Sequence, residues 1–429
     1  MNVTPTGRTA FRPMAICCAL FFILGFITWA NGTLIPFLKI ACNLETDLQA
    51  ILVTFASYIA YFFLALPSSW ILKKIGFQNG LVVSLLILGL GSLIFIPAAD
   101  SKSYALFLTG IFIQGSGMAL LQTAVNPYLS IIGPIDSAAQ RISIAGFFNK
   151  SAGILVPIIF GTLFLKDAEK VTAKLEATVD IVEKNAILDK LITRVHTPYI
   201  ALAVIFVLFA IFLKFTKLPP VDVDAEEEVD ESADKTTVHK QKTSVFQFPH
   251  LFLGALAIFF CVAVEVMAGD IIGIYGRELN VDRFFVTYAT AFTLACMLVG
   301  YIVGIIAIPK YVSQQFALRV CTLAGILFTS LSVFTTGTTS FIFVALLGIA
   351  NSLMWPAIFP LGIKGLGRFT KTGSAIMIMG IAGGAIWPLI YGYLKDSLNI
   401  DFQHAFLYAM VPAYLYILFF AVKGHKAGK

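Results

Sequence analysis

The run FFCVAVEVMAGDII, residues 259–272, is almost all hydrocarbon, yet it carries two carboxylates, Glu265 and Asp270. Glu265 lies about fifteen residues into the longer apolar stretch 250–275, and an ionised acid at that depth costs several kcal/mol unless it faces protein or water and meets a partner. That cost points Glu265 to one of two tasks: ligand for a cation, or hydrogen-bond acceptor for a polar solute. A protonated or hydrogen-bonded structural glutamate is the alternative. Asp270 stands five residues on, about 140° away around a helix, so the two acids share no face. Asp270 also nears the end of the run, where the cost falls and a structural role suffices. The third expensive charge is Lys150, in FFNKSAG (147–153). It lies eight residues beyond Arg141, roughly 12 Å along a helix. It either snorkels back to the aqueous boundary or faces inward and pairs with Glu265, directly or through water.

The elements that must position these groups follow from where charge is missing. Of 429 residues, 58% are apolar and 13% charged, against roughly 25% charged in soluble domains. No charged residue lies between Arg12 and Lys39, Asp47 and Lys73, Lys74 and Asp100, or Lys102 and Asp136. Each gap holds about 25 residues or more, and ~20 cross a bilayer core as a helix. Helices follow because backbone groups in lipid must bond within their own segment. Twelve spans result, near 14–38, 49–72, 79–98, 104–131, 142–165, 198–216, 250–275, 284–308, 316–336, 340–363, 373–394 and 403–422. An even number puts both termini on one side. Outside the two long loops, Lys and Arg favour the terminal side thirteen to five, which predicts cytoplasmic termini.

Two polar segments break the pattern. Residues 217–248, with PPVDVDAEEEVDESADK, read as a flexible cytoplasmic linker between a six-span bundle at 1–216 and another at 249–429. Residues 166–197 carry Val171, Leu175, Val179, Val182 and Ala186 at helical spacing, which predicts a short external amphipathic helix. The halves echo each other. Asn126-Pro127 is followed by Pro157 and Phe160-Gly161, and Trp355-Pro356 by Pro388 and Tyr391-Gly392. The expected fold is all-α and polytopic: twelve transmembrane helices in two pseudo-symmetric six-helix bundles flanking a central cavity, as in secondary transporters.

Other classes lose support. There is no P-loop and no nucleophile–histidine pair, and His196, His239, His250, His404 and His425 lie in loops or at span ends, so no catalytic residue is assigned. The six cysteines suggest neither a disulfide framework nor a metal site. The net charge of +6 sits beside hydrophobic spans, where it orients the chain rather than binding nucleic acid.

Several stretches together resemble one family. They are LGFITWANGTLIPFLK (24–39), ALPSSWILKKIGFQNG (65–80), LLQTAVNPYLSIIGP (120–134), FFNKSAGILVPIIFG (147–161), VAVEVMAGD (262–270) and ANSLMWPAIFPLGIKGLGRFTKTGSAIMIMGIAGGAIWPLIYG (350–392). The chain resembles the major facilitator superfamily, and within it the fucose–galactose–glucose symporters, most of all their glucose/galactose permease branch. The resemblance implies hexose uptake across the bacterial inner membrane by a monomeric, lipid-embedded carrier that needs no cofactor. It also implies coupling to sodium or a proton, with a possible sodium site near Glu265. The proton-coupled fucose permeases carry acids where this chain has Gly32 and Gln122, and the family usually reads FNS where this chain has Asn149-Lys150. A tethered ammonium at Lys150 would make a uniporter the alternative. Another small polar solute (fucose, an amino sugar or a disaccharide) is the alternative cargo. Sugars are held by amides, carboxylates and aromatic faces, which singles out Asn31, Gln122, Asn126, Asn149, Asn351, Trp355 and Trp387. Glu265, Lys150 and Asp270 are the coupling candidates.

Overall fold

The structure, a computed structural model, describes residues 8–34, 47–164, 180–216 and 243–428, with 37–38, 41–42, 44, 174, 177–178 and 218. The first half is built from α1 (Arg8–Thr33), α2 (Asp47–Asp100), α3 (Tyr104–Ile131), α4 (Ala138–Phe164), the short α5 (Ile181–Ile192) and α6 (His196–Phe215). The second holds α7 (Pro249–Gly269), the short α8 (Ile272–Glu278) and α9 (Arg283–Thr287), α10 (Ala289–Ala307), α11 (Gln314–Val333), α12 (Gly337–Ser352), α13 (Met354–Ile363), α14 (Thr370–Met379), α15 (Gly383–Gly392) and α16 (Phe402–Val422).

Among the described residues, eleven helical segments are long and apolar enough to cross a membrane. One of them, Leu52–Asp100, has 49 residues, about 73 Å at 1.5 Å per residue, more than twice a ~30 Å hydrocarbon core. It is two spans, folded back at Gly76, whose φ of 77° and ψ of 171° are non-helical. Such a positive φ strains any residue with a Cβ. The count is therefore twelve. Elsewhere two spans are each broken in the middle: α12 gives way to α13 at Leu353, and α14 to α15 through a turn of 3-10 helix at Gly380–Ala382.

Burial is inverted relative to a soluble protein. Phe62, Phe63, Trp70, Leu208, Ile306 and Leu327 face outward, whereas Asn31, Gln114, Asn126, Lys150 and Asn351 are buried. Lipid solvates the first group, and protein partners must satisfy the second. Within the halves, α2 packs on α3 and α6, α1 on α4, and α7 on α13, α15 and α16. Between them, α4 lies along α10 and α13, and α2 along α14 and α15.

The crossing of α1 and α4 decides where Lys150 stands. A Cβ on Gly25 would land on the Asn149 carbonyl, so the helices meet backbone to backbone at the residue before the lysine. Gly25→Val is expected to cost roughly 1–3 kcal/mol or more of stability by overpacking, read as a lower melting temperature of the purified protein.

Of the amphipathic stretch at 166–197, Val171, Leu175 and Val179 lie outside the described residues. Val182 is 76% exposed and Ala186 is also exposed, so the expected stripe does not face protein there. Leu188 and Ile192, one turn apart, take that place. The ion pair Lys102–Asp189 and the contact between His196 Nε2 and the Asp100 carboxylate, both 2.9 Å, hold this segment to the ends of α2 and α3. Residues 219–242 of the expected linker are likewise outside the described residues.

Candidate functional site at the junction of the two halves

A polar hollow of about 90 Å³ opens where the halves meet. The first half lines it with Thr28 of α1, Tyr58 and Tyr61 of α2, Gln122 of α3, and Asn149 and Lys150 of α4. The second half contributes Glu265 of α7, Tyr301 of α10 and Trp355 of α13. The volume is that of about three waters at ~30 Å³ each.

At its centre the Lys150 ammonium donates to Glu265 Oε1, an ion pair that joins α4 to α7. Lys150 is only 6% exposed, and the Glu265 side chain 18%. The ammonium also lies 5.3 Å from the centroid of the Trp29 ring, within range for attraction to the π face. Lys150 therefore does not snorkel to a boundary. Its charge is met in the interior by a carboxylate and an aromatic face.

A second set of bonds runs between the halves. The Trp355 indole N–H donates to Asn126 Oδ1 at 3.3 Å. Asn126 Nδ2 donates to the Gln122 carbonyl at 3.0 Å and to its Oε1 at 3.4 Å. Gln122 Nε2 donates to the Tyr61 hydroxyl at 3.1 Å. The one-turn spacing of Gln122 and Asn126 on α3 makes this relay possible. Arg141 sets the two helices that carry Gln122 and Lys150: its guanidinium donates to the carbonyls of Leu129, Ser130, Gly133 and Pro134, fastening the end of α3 to the start of α4.

Five of the residues singled out from the sequence line the hollow: Gln122, Asn149, Lys150, Glu265 and Trp355. Asn126 stands behind them in the relay. Asn149 spends its Nδ2 on the Phe21 carbonyl of α1 at 3.1 Å. Three others do not line it. Asn31 donates to Ser57 Oγ at 3.4 Å within the first half. Asn351 donates to the Val264 carbonyl at 3.2 Å and accepts from the Tyr414 hydroxyl at 2.8 Å. Trp387 donates to the Ala409 carbonyl at 2.9 Å and packs edge-on to Phe259 and Phe260. These are helix-to-helix contacts, the ordinary fate of a buried amide or indole. Asp270, half-buried just past the end of α7, does not line the hollow, but it interacts electrostatically with both Glu265 and Lys150. Sequence reasoning missed Tyr58, Tyr61 and Tyr301. Tyr58 and Tyr61 lie one turn apart on α2 and Tyr301 stands on α10, so only the fold brings Tyr301 to the other two.

Contacts between the halves continue on both sides of the hollow. Towards one end, Gln140 Nε2 donates to the Ile305 carbonyl at 2.7 Å, and Lys73 Nζ to Thr372 Oγ1 at 2.9 Å. Towards the other, a Cβ on Gly153 of α4 would crowd both Trp29 and Leu294 of α10. A larger groove of about 780 Å³ between α1, α4 and α6 is walled by apolar residues such as Phe22, Phe148 and Leu208. It belongs to the lipid-facing surface and offers nothing to orient a polar solute.

A twelve-span helical protein whose two bundles share a polar hollow at their junction belongs to the class of membrane carriers, not enzymes. The sequence profile of the Major Facilitator Superfamily matches residues 17–390, and the chain belongs to that family as a multi-pass membrane protein. It is 34% identical to a glucose/galactose transporter of Brucella abortus biovar 1 (strain 9-941), over 95% of this chain and 93% of the relative. It is 33% identical to a putative glucose/galactose transporter of Helicobacter pylori (strain J99), over 95% of each. Among solved structures, the Escherichia coli fucose:proton symporter matches with a TM-score of 0.79 at 26% identity, covering 96% of this chain and 98% of that one.

Proposed function

We propose that the protein imports a hexose of the glucose or galactose type across the bacterial inner membrane by alternating access. The observation that carries this reading is the lining of the hollow. Amides and hydroxyls from one half (Gln122, Asn149, Tyr61) face a carboxylate, a hydroxyl and an indole from the other (Glu265, Tyr301, Trp355). Hydroxyl-rich rings are gripped by such groups, with the indole face taking the apolar side of the ring. The names of the relatives from Brucella abortus and Helicobacter pylori support the same cargo. A solute held by both halves is released to alternate sides when the bundles rock about it. No covalent step and no cofactor enters this cycle. The hollow is smaller than a hexose, so loading requires the halves to part around the Lys150–Glu265 bridge.

The proposal extends to the organisation of the chain: a bundle at 1–216, a cytoplasmic linker at 217–248, a bundle at 249–429, both termini cytoplasmic, and a monomer in lipid. Counterflow of labelled hexoses into liposomes holding the purified protein tests the cargo. Glucose or galactose should exchange. Exchange of L-fucose, an amino sugar or a disaccharide alone would replace the hexose assignment. Gln122→Ala removes the amide facing the hollow and its bond to the Tyr61 hydroxyl, while Asn126 keeps its bond to the backbone carbonyl of residue 122. Leaving such partners unpaired costs about 1–3 kcal/mol, so the half-saturating sugar concentration should rise roughly tenfold or more.

A further inference from the structure

The position beside Glu265 where a mobile sodium ion was expected is already taken. We propose that Lys150 is a resident counter-cation, so that this carrier, if it moves hexose as proposed above, does so without a sodium ion. An ionised carboxylate deep in a membrane protein must be balanced by a positive charge. Here the balancing charge is covalently attached. The Lys150 ammonium bonds Oε1 of Glu265, lies over the Trp29 ring, and is nearly excluded from water.

A sodium ion at the same carboxylate would sit within a few ångströms of that ammonium, and two like charges at such a distance repel strongly in a low-dielectric site. Sodium also needs several oxygen donors. One oxygen such an ion would use, Glu265 Oε1, already accepts from the Lys150 ammonium. The other titratable groups that interact with the pair are Asp270, Cys261, Tyr58 and Tyr301. Asp270 is a second acid: it stands past the end of α7, does not line the hollow, and repels Glu265 instead of neutralising it, so Lys150 is the positive group among those that interact with the carboxylate.

The consequence is a gain of function on removing the lysine. Lys150→Ser deletes the ammonium, empties its volume and leaves Glu265 without a counter-charge, which creates a vacancy for a mobile monovalent cation. The test reads sodium first and sugar second. The melting temperature of the purified full chain is measured in sodium chloride against choline chloride, for wild type, Lys150→Ser, Lys150→Met and Lys150→Arg. A cation that binds the folded state alone raises it. Sodium should leave wild type and Lys150→Arg unmoved and stabilise Lys150→Ser. Lys150→Met fills the volume with hydrocarbon and should respond less.

Hexose uptake into liposomes is then compared with sodium replaced by choline, and with a protonophore present. Wild-type uptake should be unchanged by either, whereas Lys150→Ser uptake should fall about tenfold or more in choline. Stabilisation of the wild type by sodium, or a tenfold loss of its uptake in choline, would overturn the proposal. Abolition of wild-type uptake by the protonophore, with no effect of choline, would make the proton the driving ion and supports the absence of sodium all the same. The melting arm needs no sugar, so a failed hexose assignment and a failed counter-cation assignment give different results. Should the serine and methionine variants not fold, the wild-type arms decide alone.

Discussion

Glu265→Gln is expected to reduce hexose counterflow by about 100-fold or more and to lower the melting temperature. Removing one member of a buried pair leaves the other uncompensated, at a cost of about 3–5 kcal/mol. Each 1.4 kcal/mol is about a factor of ten in an equilibrium. The uncompensated group is the Lys150 ammonium, 6% exposed on α4. The Trp29 face is its remaining partner and supplies only part of the balance. The pair also bridges α4 and α7, so its loss loosens the seam that the bundles share. Two effects then need separating: lost stability and lost sugar contact. A double-mutant cycle does so. Lys150→Met in the Glu265→Gln background removes both charges and should recover much of the melting temperature lost in either single variant. Transport should stay low in the double variant, because the carboxylate, the stronger and two-oxygen acceptor for the sugar, is still missing. Stability losses that simply add would show that the two residues are not energetically coupled. Recovery of counterflow in the double variant would show that Glu265 serves the lysine and not the sugar.

The sequence revealed the two charges more clearly than the amides, for a physical reason. Glu265 and Lys150 each stand alone in a run without other charge, and a solitary ion in hydrocarbon carries a cost that demands a partner. Two expensive charges of opposite sign make pairing one of two outcomes, the other being a lysine that snorkels, and the fold decides for the pair. The twelve spans are equally legible, because charge gaps measure membrane thickness; even α2 divides into two at the KKIGF corner. Amides give no such signal. Asn31 and Asn351 have the same chemistry as Gln122 and Asn149, and a sequence does not say whether a buried amide meets a ligand or the next helix. Here Ser57 satisfies the first, and Val264 with Tyr414 the second. Trp355 and Trp387 each precede a proline, yet Trp387 packs inside its own half and Trp355 reaches across the seam. The tyrosines were the hardest case. Tyr58, Tyr61 and Tyr301 are amphipathic and unremarkable in any apolar span, and only the approach of α2 to α3 and of α4 to α10 turns their hydroxyls towards one space.

Trp355→Ala should raise the half-saturating hexose concentration by roughly 30- to 100-fold, and Trp355→Phe by much less. Deleting a packed tryptophan costs about 3–5 kcal/mol of local structure, but the expectation rests on what the ring does at this seam. Its face lines the hollow, and its stack on Phe359, 6.0 Å between centroids and 19° from parallel, fixes the plane it presents. Its N–H is the first link in the relay through Asn126 and Gln122 to Tyr61. Phenylalanine keeps a face in that plane and gives up the N–H. If the sugar stacks on the ring, the phenylalanine variant retains most of the affinity. Asn126→Ala, which spares the ring and breaks the relay, should then slow exchange more than it weakens binding. If the relay alone matters, phenylalanine and alanine at 355 will be equally impaired. Steady-state counterflow at varied sugar concentration distinguishes the two, since loss of a stacking face appears in the concentration dependence and loss of a bond between halves in the maximal rate. Equal affinity in Trp355→Ala and wild type would remove Trp355 from the sugar site and leave it a structural tie between α13 and α3.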